Sequence, residues 1–159
     1  MKKTSIKSIV SRCCTQPFIV VGALVEKNGK FLLIQEDGKW NQPQGWLELG
    51  ENIIKGVKRE TKEETGFEIN IVGFIGVYTL IKRRENKTLH AVKFIFSAKP
   101  VRKNVKSKKY NSKWFTFNEI KMMKNKKQLW DSDLPKIIED YLEKKIYPKN
   151  IVSNFTKMI

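Results

Sequence analysis

Apolar and polar positions along this chain change period several times, and each change marks an element. Residues 18–26 are almost continuously apolar and β-branched, the pattern of a buried strand. Asn28-Gly29 follows, a dipeptide suited to a two-residue hairpin because both positions accept positive φ, and residues 30–35 return as a second strand. Asp37-Gly38 marks another turn. Residues 40–45, punctuated by Pro43 and Gly45, read as a loop. A helix is expected over 51–65, stopping at Gly66, which suits the left-handed residue after a helix end. Residues 67–80 read as one or two strands and 82–87 as a polar, charged turn. Residues 89–98 alternate, with Ala91, Lys93 and Ile95 on one side and Val92, Phe94 and Phe96 on the other, and predict a strand. Residues 102–113 form a basic loop and 114–117 a short strand, with Asn118 a candidate cap for a following helix. Ser132 or Asp133 caps the last helix, whose apolar stripe is Leu134, Ile137, Ile138, Tyr141 and Leu142.

This order of elements, without internal repeat or separating linker, predicts one α/β domain over 17–147. A poorly ordered leader is expected over 1–16 and an irregular tail over 148–159. A length of 159 residues with 40% hydrophobic and 11% aromatic positions suffices for a sizeable single core. No apolar run approaches the ~20 residues that a membrane-crossing helix needs. Lys2 and Lys3 precede short apolar stretches broken by Lys7, Ser8, Ser11 and Arg12, a poor signal peptide. The two cysteines, Cys13 and Cys14, are adjacent, a spacing that rarely forms a disulfide, and no His cluster completes a zinc site. Reduced thiols and a cytoplasmic location are the expectation.

The charge changes the picture in two ways. Lys and Arg total 32 against 16 acidic residues, for a net charge of +16. Lys dominates, and the densest basic runs, 102–109 and 121–127, lack interleaved aromatics. That favours solvated lysines over a polyanion-binding surface. Against this background the carboxylates are concentrated: Glu48, Glu51, Glu60, Glu63 and Glu64 fall within one short stretch. Glu60, Glu63 and Glu64 are spaced i, i+3, i+4, so on a helix they share a face and repel one another. A bound divalent cation removes that cost, and Mg²⁺ pairs one or two carboxylates with substrate phosphates. The plain alternative is a solvated helix face whose Glu residues pair with Lys55, Lys58 and Lys62.

Gly45, Glu51, Arg59, Glu60, Glu63, Glu64, Gly66 and Phe67 stand in register with G-x5-E-x7-R-E-U-x-E-E-x-G-U, where U is apolar. This resembles the signature box of the Nudix hydrolase family, with Thr61 in a slot where an aliphatic residue is usual. The resemblance implies the Nudix fold: a mixed β-sheet sandwiched between helices (α/β/α). The stretch Trp40-Asn41-Gln42-Pro43-Gln44-Gly45-Trp46-Leu47-Glu48, the Ser-x-Leu before the last helix and Tyr147-Pro148 are similar to the NudJ-type phosphatase branch. Members of that branch hydrolyse nucleoside di- and triphosphates and hydroxymethylpyrimidine diphosphate. Trp46 replaces the branch's His. The loop before Trp114 is basic instead of acidic, and no Asp or Glu lies between Asn86 and Asn118 to supply the extra carboxylate many relatives carry. Glu85 or Glu119 would have to substitute.

By resemblance, Glu60, Glu63 and Glu64 are metal ligands, joined by the backbone carbonyl of Gln44, and Glu60 or Glu63 is the general base. Gly45, Glu51, Arg59 and Gly66 are structural, with Arg59 and Glu51 a pair that holds the loop to the helix. Trp46 and Tyr78 are candidates to stack on a base or pyrimidine, with packing the alternative for each. His90, the sole histidine, is read as packed or exposed and not catalytic, and Trp114 as core. The implied cofactor is Mg²⁺ or Mn²⁺, and the implied partner is a small phosphate-bearing substrate of a monomeric enzyme. An RNA 5′-end pyrophosphohydrolase is the second reading, since Pro43-Gln44-Gly45 also occurs in such enzymes. A non-catalytic nucleotide-sensing module is the third, against which the intact set of box carboxylates argues.

Overall fold

The computed structural model describes residues 17–84, 87–103, 109–153 and 155. The expected leader, Cys13-Cys14, Glu85, Lys106 and Lys108 lie outside them. Eight strands and three α-helices are present among the described residues. The strands are β1 (Phe18–Lys27), β2 (Lys30–Glu36), β3 (Lys39–Asn41), β4 (Gln44–Trp46), β5 (Phe67–Arg84), β6 (Lys87–Lys103), β7 (Asn111–Thr116) and β8 (Tyr147–Pro148). The helices are α1 (Ile53–Thr65), α2 (Phe117–Asn125) and α3 (Leu134–Leu142), and a 3-10 turn covers Lys149–Ile151.

The sheet runs β3-β2-β1-β6-β5-β8, with β4 also on β1 and β7 also on β2. The β1–β6 pair is parallel and the others are antiparallel, so the sheet is mixed as expected. The continuous apolar run of β1 has its reason here. Val21, Ala23 and Val25 face α1 and pack with Val57, Phe74 and Phe96, while Leu24 faces α2 and α3 and packs with Ile95, Ile120 and Ile137. A strand covered on both faces cannot alternate.

Several boundaries differ from the sequence reading. Residues 39–46 carry two short strands where a loop was expected. Pro43 does not interrupt pairing, because only its carbonyl is used, accepting from Ala23 N–H at 3.0 Å. β5 is one strand of 18 residues. Register shifts at Glu68/Ile69, Ile71/Gly73 and Phe74/Gly76 scramble its alternation in the sequence. The expected turn over 82–87 is largely strand: Lys82 pairs with Leu89 and Arg83 with Thr88, so a solvated ladder was read as a polar turn. The cap of α2 is Thr116, not Asn118. Thr116 and Glu119 form a reciprocal capping box, which commits Glu119 to the helix end. Asp133 sits at the N-cap position of α3 without a side-chain bond to the helix, its carboxylate turned to Lys93 instead. Part of the tail is ordered on the sheet, with Tyr147 and Pro148 pairing with Phe74 and Gly73.

Candidate active site

The helix α1 starts at Ile53, two residues later than the sequence predicts. Asn52 caps it by accepting from Lys55 N–H at 3.2 Å, and Gly66 ends it at φ 76°, donating to the Lys62 carbonyl. Glu51 is thereby left outside the helix and free to meet Arg59. Arg59 Nε and Nη2 donate to the two Glu51 oxygens at 2.7 and 2.8 Å, a bidentate fork. Nη2 also donates to the Trp46 carbonyl at 3.0 Å and Nη1 to Glu60 Oε1 at 2.6 Å. One guanidinium thus joins the loop, the strand β4 and a carboxylate of α1. Its hydrogen bond to Glu51 leads the causes that raise the Arg59 pKa, and the same bond holds the Glu51 carboxyl below its usual value.

Glu60 and Glu64 are both buried, at 5% exposure each, on the face of α1 that meets β4. Thr61 and Thr65 are buried beside them. The Thr61 hydroxyl donates to the Val57 carbonyl at 2.8 Å, which satisfies the polar atom in the aliphatic slot. Gly45 is dictated by the approach of α1: a Cβ there would lie 2.3 Å from Glu60 Cδ. Gly56 has the same cause and no prior signal beyond its unusual place inside a helix. A Cβ there would meet Glu51 Oε2 at 2.9 Å and Leu47 Cδ1 at 3.1 Å.

The register of β4 places Gln44. Ladder bonds link Ala23 to Pro43 and Leu47 to Ile19. Gln44, opposite Gly22, therefore occupies the position whose own N–H and C=O point away from β1. Its N–H donates to Glu64 Oε2 at 3.0 Å, and its carbonyl shares that open edge. Glu63 is the more exposed carboxylate, 3.8 Å from Arg59 Nη1. Among the described residues no three carboxylates are gathered into a ready cage. The donor set still suits a hard cation. Two buried carboxylates meet a strand edge that presents a carbonyl, and Mg²⁺ takes oxygen ligands, few of them from protein.

The proposed stacking residues have packing partners. The Trp46 ring meets Phe18 edge-on at 4.1 Å. Tyr78 joins the core under α3 and donates to Asp140 Oδ2 at 3.0 Å; burial and then that carboxylate raise its pKa. Glu119 caps α2 and does not supply an extra carboxylate at the site. His90 is half-buried on β6, and Trp114 packs against Phe67 and the α1-side core.

Further groups border these residues. Lys109 and Tyr110 donate their N–H groups to the carbonyls of Glu63 and Glu64 at 2.8 and 3.0 Å, which fastens the end of the basic stretch to α1. The Tyr110 hydroxyl donates to Glu36 Oε1 at 2.6 Å, and Trp130 Nε1 donates to Glu36 Oε2 at 3.0 Å. Lys82 and Lys39 lie over the Trp130 ring at 5.1 and 5.7 Å. Asp131 and Lys93 form a buried pair beside Gln44. A lysine in the middle of an alternating strand was the available signal for that pair. Its partners lie 38 and 40 residues away and could not be read.

A family profile described as the NUDIX domain matches residues 16–140. The chain belongs to the Nudix family. It is 37% identical over 83 residues to a MutT-like protein of Streptomyces ambofaciens, covering 51% of this chain and 50% of that one. It is 39% identical over 70 residues to Phosphatase NudJ of Escherichia coli K12, covering 42% of this chain and 46% of that one. The chain thus matches about half the length of these curated relatives. A Nudix hydrolase from Nitrosomonas europaea superposes with a TM-score of 0.79 at 30% identity, over 88% of this chain and 98% of that structure. The Nudix box accordingly occupies the loop, β4 edge and helix described above.

Proposed function

We propose that this protein is a divalent-metal-dependent hydrolase of phosphoanhydride bonds in small substrates, nucleoside di- or triphosphates or a pyrimidine diphosphate. The observation that carries this reading is the meeting of Glu60 and Glu64, buried on α1, with the Gln44–Gly45 edge of β4. Glu60, Glu64 and the Gln44 carbonyl would hold Mg²⁺ or Mn²⁺, with Glu63 at the open side. The metal, when bound, supplies charge neutralisation at phosphate oxygens and a lowered pKa for bound water. Arg59 sets the rotamer of Glu60 from one side and anchors the Glu51 loop from the other. Glu60 or Glu63 takes the proton of the attacking water, and Trp46 borders the substrate ring. The likeness to a phosphatase named NudJ supports small substrates, as does the scarcity of aromatics in the basic runs. We place the enzyme in the cytoplasm as a monomer.

The test is phosphate and pyrophosphate release from a panel of nucleotides, hydroxymethylpyrimidine diphosphate and 5′-triphosphorylated RNA, with chelator and then with Mg²⁺ or Mn²⁺ restored. Activity on one of the small substrates that vanishes in chelator is expected. Full activity in excess chelator would sink the metal mechanism, and preference for the RNA would put end-processing first.

A further inference from the structure

Lys93 lies on β6 between Val20 of β1 and Tyr78 of β5 and is only 1% exposed. A buried ammonium is stable only when paired. Lys93 has two partners: Asp133 at 2.9 and 3.2 Å and Asp131 Oδ2 at 3.0 Å. One carboxylate would neutralise it, so the second calls for another reason. Asp131 itself is buried, and Lys93 is one of four groups that donate to it. Gln44 Nε2 donates to Oδ2 at 2.9 Å and Asn41 Nδ2 at 3.2 Å, while Lys82 Nζ donates to Oδ1 at 2.9 Å. Burial alone would raise the Asp131 pKa; Lys93 and Lys82 outweigh it and hold the carboxyl well below the ordinary range. With both oxygens committed, Asp131 is neither a free base nor an open ligand.

What it does hold is the strand edge. Gln44 is fixed at both ends: its side chain lies between Asp131 and Gln42 Nε2, and its backbone N–H is on Glu64. Asn41, the other amide on Asp131, uses its Oδ1 to accept Gln42 N–H at 3.0 Å. The carboxylate therefore spans the segment from Asn41 to Gln44 from the face of the sheet opposite α1.

We infer that Asp131 is a positioning residue for the metal-binding edge of β4, acting through the Gln44 side chain to fix the Gln44 carbonyl and its N–H bond to Glu64. The inference rests on the metal reading given above and assigns a part of the site that the family box does not contain. Groups that orient metal ligands from outside the coordination sphere commonly change metal affinity by tenfold or more when removed.

The test is Mn²⁺ binding to metal-free protein, read from the signal of free Mn²⁺ by electron paramagnetic resonance, together with Tm. Asp131→Asn and Gln44→Ala should each weaken binding about tenfold. Gln44→Ala keeps the backbone carbonyl and leaves the Lys93 pair intact, so it reports on the tether even if Asp131→Asn folds poorly. The double variant should be no weaker than either single one, since both cut the same link. Asp133→Asn strips a partner from Lys93 without touching Gln44. It should lower Tm and leave Mn²⁺ affinity within about twofold of wild type, inside ordinary additivity error. Wild-type affinity in Gln44→Ala, full additivity, or equal weakening by Asp133→Asn would each overturn the inference. A wild-type protein that binds no Mn²⁺ would instead remove the metal reading itself, and the inference with it.

Discussion

Under the proposed metal reading, single residues of the box divide into those that would hold the cation and those that shape its surroundings, and substitution separates them. Glu64→Gln keeps the size and can still accept from Gln44 N–H, but it removes a charge. It should leave Tm within a few degrees and cut kcat by about a hundredfold or more, roughly 3 kcal/mol of barrier. Near-normal turnover would show that Glu64 is not a ligand. Arg59→Ala should cost stability as well as activity, by stranding Glu51 in a half-enclosed loop. Its effect depends on pH in a fixed direction. Arg59 depresses the folded-state pKa of Glu51 below 4.5, so this contribution is complete above the unfolded value and fades as pH falls through the lowered one. The Tm gap between wild type and Arg59→Ala should therefore be widest near pH 7 and narrow toward pH 3. A gap that widened on acidification would contradict the assignment. The roles of Arg59 and Glu51 were legible because both residue types and their spacing belong to one recurrent device. Asp131 was not, since its four donors are distributed over β3, β4, β5 and β6.

At the level of elements, the sequence displayed those whose pattern is set by local rules. The hairpin at Asn28-Gly29 appears with φ of 52° and 73°, and α1 ends at Gly66 as its left-handed conformation requires. Elements set by tertiary pairing were hidden. β4 is three residues long and exists because β1 offers an edge to it. The bulges of β5 answer to the register of β6, and their one local trace is that two of the three fall at glycines, Gly73 and Gly76. Thr61 shows how an element absorbs an imperfect residue: its hydroxyl is satisfied within the helix, at the expense of apolar contact in a fully buried position. Thr61→Val should exchange a bent-over hydroxyl bond for a buried methyl and raise stability by about 1 kcal/mol, with kcat unchanged. Chemical denaturation with an unchanged slope is the measurement. A loss of stability would mean that the Val57 carbonyl depends on that hydroxyl. Gly45→Ala should have the opposite outcome, because the added methyl meets the Glu60 carboxyl carbon at 2.3 Å and displaces that carboxylate from the β4 edge and from Arg59. Loss of both Tm and Mn²⁺ affinity is expected.

For the whole molecule the open question is the positive charge. A net charge of +16 raises the local concentration of any polyanion and speeds its encounter, whatever the site then does with it. Lys109 and Tyr110, at the end of the basic stretch, are fastened to the Glu63 and Glu64 carbonyls of α1, a setting in which lysines of that stretch would meet a long anionic substrate. Two features argue that they do not select one. Arg102 already has a carboxylate partner in Glu68, and the runs offer few rings on which bases could stack. Replacing Lys106, Lys108 and Lys109 together with Gln should then change turnover of a small nucleotide by no more than about twofold. The residual effect should fade with added salt, since exposed charges are screened over ~8 Å at physiological ionic strength. If the chain processed RNA ends, the same triple change would weaken binding of a 5′-triphosphorylated oligonucleotide and flatten its salt dependence. The slope would fall by ~0.7 per lost phosphate contact on a log–log plot. The comparison is wild type against triple variant across a salt series. Weak wild-type binding with a shallow slope is the expected result, whereas tight, steep binding that the variant loses would make RNA the substrate.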